Sequence, residues 1–346
     1  MNVKVVGIDL AKNVFQVCVL LNDGNIAWNR KITRTKLLHT LRQFPAKTLI
    51  AMEACSTSHH WARQFIAMGH TVYLIPAQHV KPFVGRQKND ANDARAICEA
   101  TFRPSIHPVR VKSLEQQDIK ALRSVRSRFV EQRTATANQI RGLCSEYGVS
   151  FPVGIRKLRE GLSGAIEDGE NGLSFVVRRL LRGLYDDLIT LDHDIEALTN
   201  EITILCKTLP RYQALLSIPG YGPIVAATFM SEIGDGLQFK NGRQLSAWCG
   251  LVPRQSSSGG KECLGRISKN GSSELRMMLI HGARAVSRFS AKRDDSLGAW
   301  FNALVKRQGK HKAIVALANK LARIGWRILV GKKDFDSSLA FNAALS

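Results

Sequence analysis

The sequence lacks any apolar run near the roughly 18 residues that a membrane-spanning helix needs, so no membrane helix is expected. It also lacks a signal-peptide pattern, its N-terminus entering directly what reads as a strand. Cysteines are few and unpaired: seven (Cys18, Cys55, Cys98, Cys144, Cys206, Cys249 and Cys263), scattered singly, with no C-x-x-C. That pattern argues against a disulfide framework and a zinc ribbon, and the expected location is a reducing cytoplasm. Internal repeats and low-complexity tracts are missing too. Acid is scarce, with 28 Asp and Glu against 50 Lys and Arg, for a net charge of +22. An excess of this size points to a polyanionic partner, of which nucleic acid is the usual one. From Gly236 onward basic residues outnumber acidic ones roughly threefold, whereas the N-terminal third is closer to balance.

The acids of that first third are placed to matter. Asp9 closes the apolar run Val3–Ile8, and Glu53 ends a second run, Thr48–Met52. Asp90 and Asp93 stand three apart at the start of an Ala-rich segment that reads as a helix, and an i, i+3 pair shares one helix face. A single Asp at a strand end is usually a cap or turn residue. Four acids in this order suit a hard cation such as Mg²⁺, which takes carboxylate oxygens together with substrate phosphate. Two such ions about 3.5–4 Å apart clamp the attacking and leaving oxygens of a phosphodiester displacement.

At 346 residues the chain has room for two or three domains. Strands are expected at Lys4–Leu10, Asn13–Leu21 and Ile26–Ile32, the last two joined by Asn22-Asp23-Gly24-Asn25, a strong hairpin signal. A helix at 36–43, a strand at Thr48–Met52, a helix at Trp61–Met68 and a strand at His70–Ile75 follow. That order is expected of an α/β RNase H-like layer covering residues 1–110, with its acids at the sheet centre. Long helices are expected at Ser113–Tyr147 and Leu173–Leu209, where apolar residues recur every three or four positions. This periodicity fits a helical or coiled-coil arm over 111–209, or an ordinary bundle. The glycine-rich stretch Pro152–Gly172 between them reads as a loop with little core. A mainly α C-terminal domain is expected over 210–335. Its opening, Ile218-Pro-Gly-Tyr-Gly222, suggests a helix-hairpin-helix in which Gly220 and Gly222 let backbone N–H groups approach a phosphate; a plain turn between helices fits as well.

Several of these segments together resemble one family. Gly7-Ile-Asp-Leu-Ala-Lys12, Met52-Glu53-Ala54, Lys88-Asn-Asp-Ala-Asn-Asp-Ala-Arg95, Ile218-Pro-Gly-Tyr-Gly222 and Gly250-Leu-Val-Pro-Arg254 followed by Ser-Gly are similar to the DEDD-type insertion-sequence transposases of the 110/1111 group. The resemblance runs from Val3 to about Leu329. It implies a RuvC-like domain, a helical linker and a C-terminal transposase domain. It also implies that Asp9, Glu53, Asp90 and Asp93 are the ligands of Mg²⁺ (or Mn²⁺), and that a serine after Gly-Leu-x-Pro-Arg is a nucleophile. Spacing from Gly250 and the following glycine match Ser258 to that serine; Ser256 and Ser257 directly precede it, and a slip of register moves the assignment.

The function implied is strand cleavage and exchange on the DNA of element ends and target. It implies an oligomer, dimer or tetramer, in the bacterial cytoplasm at the nucleoid, guided in some members by an RNA from the element's own non-coding end. The alternative is a Holliday-junction-resolvase-like endonuclease in which water attacks and no covalent intermediate forms. By residue type alone, Ser256-Ser-Ser-Gly-Gly reads as a flexible linker. Lys81, Arg86, Lys88, Arg254, Lys261, Arg266 and Lys269 are candidates for nucleic-acid contacts, as is the basic turn Lys306–Lys312. His59-His60 reads as helix surface rather than a metal pair, because adjacent residues do not share a helix face. Trp248, Trp300 and Trp326 read as core.

Overall fold

The computed structural model describes residues 2–85, 89–331 and 334–341. The chain divides into two compact units, Met1–Ser113 and Leu114–Ser346.

In the first unit, the apolar strands β1 (Val3–Asp9), β2 (Val14–Leu21) and β3 (Ile26–Thr33) form an antiparallel meander. Its second turn closes as the Asp-Gly pair predicts: Gly24 adopts φ +87° and Asp23 accepts the Asn25 N–H at 2.9 Å. After α1 (Arg34–Leu41), β4 (Leu49–Glu53) pairs with β1 in parallel; after α2 (Ser58–Ala67), β5 (Thr71–Ile75) pairs with β4 in parallel. The five-stranded order β3-β2-β1-β4-β5 makes β1 and β4 central neighbours. A short helix α3 (Ala77–Val80) and a 3₁₀ turn at Lys81–Phe83 lead towards α4 (Asp90–Thr101). Arg86 and Lys88 lie outside the described residues.

The two sheet faces are covered by different layers. Val6, Ile8, Ile50 and Met52 pack with Leu37, Leu41, Trp61 and Phe65, whereas Val5, Cys18 and Ala51 pack with Ala94, Ile97 and Cys98 of α4. Gly7 is what lets α4 lie so close to β1. A Cβ there would meet Cys98 Sγ at 2.5 Å and the Ala94 carbonyl oxygen at 2.6 Å. Gly7→Ala is therefore expected to cost about 1–3 kcal/mol through overpacking. A urea midpoint equal to wild type would contradict that close approach.

The second unit begins with three helices, α5 (Leu114–Ser145), α6 (Ile155–Glu167) and α7 (Phe175–Lys207). α5 and α7 run antiparallel, with Arg126 Nε donating to Thr199 Oγ1 at 2.6 Å and Arg133 Nη1 to Asp192 Oδ1 at 2.7 Å. The expected loop at 152–172 is instead mostly α6. Its Leu158, Leu162 and Ile166 recur every four residues, make one buried stripe, and share a core with Ala137, Ile140, Leu181 and Leu188. Gly164 is compatible with the helix because it lies off that stripe, with open space where its side chain would be. At the opposite end of the pair, Ile119 of α5 and Ile202 and Cys206 of α7 belong to the core of the helices that follow.

Those elements are α8 (Tyr212–Leu216), α9 (Pro223–Ile233), α10 (Gly242–Trp248), the hairpin β6 (Pro253–Gln255) and β7 (Leu264–Ile267), α11 (Ser273–Phe289), α12 (Ser296–Gln308), α13 (Lys310–Val330) and α14 (Ser337–Phe341). Trp248, Trp300 and Trp326 pack, partly buried, against their core. Among the described residues no helix is long and apolar enough to cross a membrane.

Candidate active site

Strand register places the N-terminal acids. Asp9 lies opposite Gln16, and Gln16 opposite Lys31. Ile8 is the parallel partner of Met52, so Asp9 and Glu53 leave adjacent strands at the same end. Side chains alternate between faces along a strand. Asp9 shares the face of Val5, and Glu53 that of Ala51, which is the face covered by α4. Both carboxylates act on Cys55, whose thiol is pushed up by burial and then by Glu53 and Asp9.

The other two acids ride on the start of α4. Asn89 caps this helix by accepting the Asn92 N–H at 2.8 Å, which leaves Asp90 and Asp93 in the first turn, where the helix dipole favours negative charge. Asp93 is half-buried. Asp90 is exposed and lies 3.4 Å from Lys31 Nζ, with side-chain exposures of 68% for Lys31 and 62% for Asp90. An ion pair that open contributes about 0–1 kcal/mol, so it does not fix Asp90 in place. Among the described residues no three His, Cys, Asp or Glu side chains converge closely enough to hold an ion. The fold thus sets Asp9 and Glu53 at neighbouring strand ends and Asp90 over β3, two strands from β1.

The chemistry of this donor set fits a divalent cation. All four groups are carboxylates, the oxygen ligands preferred by hard ions of the Mg²⁺ and Mn²⁺ type. Beside Asp9, Gln16 is 5% exposed and its Oε1 is buried with no hydrogen-bond partner among the described residues. Leaving a buried acceptor unmet costs about 1–3 kcal/mol, a cost that water carried by a bound cation would relieve. His59 is not part of this set: its Nδ1 accepts the Lys112 backbone N–H at 3.2 Å. His60 is exposed, edge-on to Trp61.

The serine run is folded rather than a linker. β6 and β7 pair antiparallel, the Ser256 N–H reaches the Cys263 carbonyl at 3.0 Å, and Ser258 bridges to Lys261. Gly259 and Gly260 at the tip have φ +57° and +77°, the two positive angles that a type I′ hairpin turn demands. The Ser257 hydroxyl is used inside the hairpin, accepting from Gln255 Nε2 at 3.0 Å and from the Cys263 N–H at 3.4 Å. Ser258 opens the turn, is exposed, and has no hydrogen bond to its hydroxyl among the described residues. Arg254, Lys261, Arg266 and Lys269 are all exposed on or beside this hairpin. Its base is held by Arg276, a residue that motif reading passes over, whose Nη1 donates to the carbonyls of Cys249 (3.1 Å) and Asn270 (2.8 Å).

Gly220 has a packing role. It adopts φ +91°, and a Cβ there would lie 2.8 Å from the Gly282 carbonyl oxygen. Its lack of a side chain serves close packing of the α8–α9 turn on α11. Tyr221 anchors the same turn in the core by donating to the Leu321 carbonyl at 3.1 Å. Gly222 is exposed at the N-terminus of α9. Lys81 is exposed in the 3₁₀ turn. The corner between α12 and α13 is a denser basic surface, where Lys306, Arg307, Lys310, His311 and Lys312 are all exposed. No Asp or Glu occurs between Ser296 and Lys333.

Comparison with known proteins places the whole chain. The family model described as Transposase, of the DEDD type named for IS110, matches residues 6–149. The model described as Transposase IS116/IS110/IS902 family matches residues 212–297. The chain is 44% identical over 333 residues to a probable family 20 transposase of Pseudomonas aeruginosa, covering 95% of this chain and 97% of that protein. It is 41% identical over 334 residues to the transposase for insertion sequence element IS1111A of Coxiella burnetii, covering 96% and 92%. A pilin gene-inverting protein of Moraxella bovis is 25% identical over 360 residues, covering 96% and 98%. This chain therefore belongs to the IS116/IS110/IS902 family, and is an insertion-sequence transposase.

Proposed function

We propose that this transposase cuts and rejoins DNA through a serine–DNA ester, with its first unit, an RNase H-like (RuvC-like) layer, holding Mg²⁺ or Mn²⁺ on Asp9, Glu53, Asp90 and Asp93. A cation bound there supplies charge neutralisation at the scissile phosphate. Ser258 Oγ attacks phosphorus: a serine–phosphate bond forms, the bond to one DNA oxygen breaks, and that oxygen leaves with a proton. Attack by the hydroxyl of another strand reverses the step and releases Ser258, so no high-energy cofactor is consumed. Arg254, Lys261, Arg266 and Lys269 neutralise phosphate oxygens along the hairpin.

The observation that carries this reading is the hairpin, where Ser257 is engaged internally while Ser258 sits exposed at the glycine turn. The Moraxella relative, named for inverting a pilin gene, adds support, because inversion requires every cut strand to be rejoined. We read residues 1–110 as the catalytic domain, 111–209 as a coiled-coil arm and 210–335 as the transposase domain. The protein acts as a dimer or tetramer on element-end and target DNA at the nucleoid, with a guide RNA from the element's non-coding end.

The test incubates labelled element-end duplex with a second duplex, in Mg²⁺ or EDTA, with and without RNA transcribed from the flanking region. Joined strands are expected in Mg²⁺ and none in EDTA; joining that needs the transcript supports the guide. DNA nicked in Mg²⁺ but not in EDTA, with no joined product in any arm, would favour the resolvase-like alternative.

The basic corner gives a separate expectation. Each neutralised phosphate steepens the log–log salt dependence of binding by about 0.9. Replacing Lys306, Arg307, Lys310 and Lys312 together by alanine should flatten the log–log salt slope by about 3–4 and weaken binding across sequences alike. An unchanged slope would remove this corner from the DNA surface.

A further inference from the structure

We infer that Gln16 and Asn29 are positioning residues that set the first turn of α4 for metal binding; this rests on the reading of Asp9, Glu53, Asp90 and Asp93 as ligands. The observation is a continuous polar chain from sheet to helix. Gln16 Nε2 donates to Asn29 Oδ1 at 2.7 Å, and Asn29 Nδ2 donates to the Ala91 carbonyl oxygen at 2.8 Å. Ala91 lies between Asp90 and Asp93 in the first turn of α4.

The direction of this chain is determined by chemistry. A backbone carbonyl only accepts, so Asn29 must present its NH₂ to Ala91 and its oxygen to Gln16. Gln16 must then present its own NH₂ to Asn29. Its Oε1 is thereby left as the buried, unpartnered acceptor, on the strand position directly opposite Asp9. Two side chains thus tie the helix bearing two of the acids to the row bearing a third.

Alternative explanations for Gln16 are weak. At 5% exposure it is buried, on the same face as fully buried Cys18; an apolar residue would fill the same space without a polar group to satisfy. The other restraints on α4 act elsewhere. Gly7 admits Cys98 and Ala94 further along the helix, and the Lys31–Asp90 pair at its start is open to water. Supporting groups of this kind, which orient ligands without touching the metal, typically change metal affinity about 10–100-fold when lost.

The test uses the full chain and Mn²⁺, following free Mn²⁺ by electron paramagnetic resonance for wild type, Asn29→Ala, Gln16→Met and Asp9→Asn, with thermal melts recorded without metal. Asn29→Ala and Gln16→Met are expected to bind Mn²⁺ about tenfold more weakly. DNA cleavage by both should return when Mn²⁺ is raised by the same factor, with KM for DNA unchanged. Gln16→Met keeps side-chain volume and carries the test if Asn29→Ala does not fold. If Asp9→Asn loses Mn²⁺ binding while the Gln16 and Asn29 variants keep wild-type affinity, the positioning role is overturned and the metal reading stands. If Asp9→Asn binds Mn²⁺ as wild type does, the metal reading fails and the positioning role with it.

Discussion

Asp9→Asn is expected to lower strand cleavage by about three orders of magnitude while DNA binding stays the same or tightens. The acid stands where β1 ends beside Glu53 on the face covered by α4. Asparagine keeps the shape and removes one ligand charge. Charge stabilisation at a phosphoryl oxygen contributes several kcal/mol to such a step, and each 1.36 kcal/mol is about tenfold in rate. Binding moves the other way, because one negative charge facing the phosphates is gone. Single-turnover cleavage in Mg²⁺ and a filter-binding isotherm check the two halves separately. Cleavage within about tenfold of wild type would mean that Asp9 holds no catalytic ion, since loss of a ligand charge should cost far more.

Ser258→Ala is expected to abolish strand joining altogether. No neighbouring group substitutes for it in this reading. Ser257 spends its hydroxyl on Gln255 and Cys263, and Ser256 lies in the arm of the hairpin, its backbone N–H on the Cys263 carbonyl, rather than at the turn. Buried thiols offer no replacement, since burial pushes Cys206 up to about 11 and Cys249 up to about 12, leaving almost no thiolate at neutral pH. Exposed Cys263 sits in the same hairpin, so Cys263→Ala is the control and should keep joining. Quantifying joined strands across Ser256→Ala, Ser257→Ala, Ser258→Ala and Cys263→Ala checks the assignment. Joining by Ser258→Ala above background would refute it.

Much of the first unit was legible because its signals are local. Asp23-Gly24 marks a turn by itself, and the apolar runs ending at Asp9 and Glu53 mark strands whose last residues emerge at one end of the sheet. The long helices were equally readable from their periodic leucines. The misses share a different cause. α6 is hidden in the sequence because Gly154, Gly161, Gly164, Gly169 and Gly172 mask the four-residue recurrence of Leu158, Leu162 and Ile166. The serine hairpin exists only through pairing with Leu264–Ile267, which composition cannot express. Gly220 owes its identity to Gly282, 62 positions away. The link from Gln16 through Asn29 to Ala91 spans separations of 13 and 62 residues, and no local pattern encodes it. The Lys31–Asp90 pair likewise depends on β3 lying beneath the start of α4.

The most direct measurement is mass spectrometry of the protein after reaction with element-end DNA in Mg²⁺, denaturation, nuclease trimming and trypsin digestion. The account predicts a nucleotide remnant on the peptide Gln255–Lys261, with fragmentation placing it on Ser258. Cleaved DNA with no protein attached, or a remnant on any other residue, would contradict it.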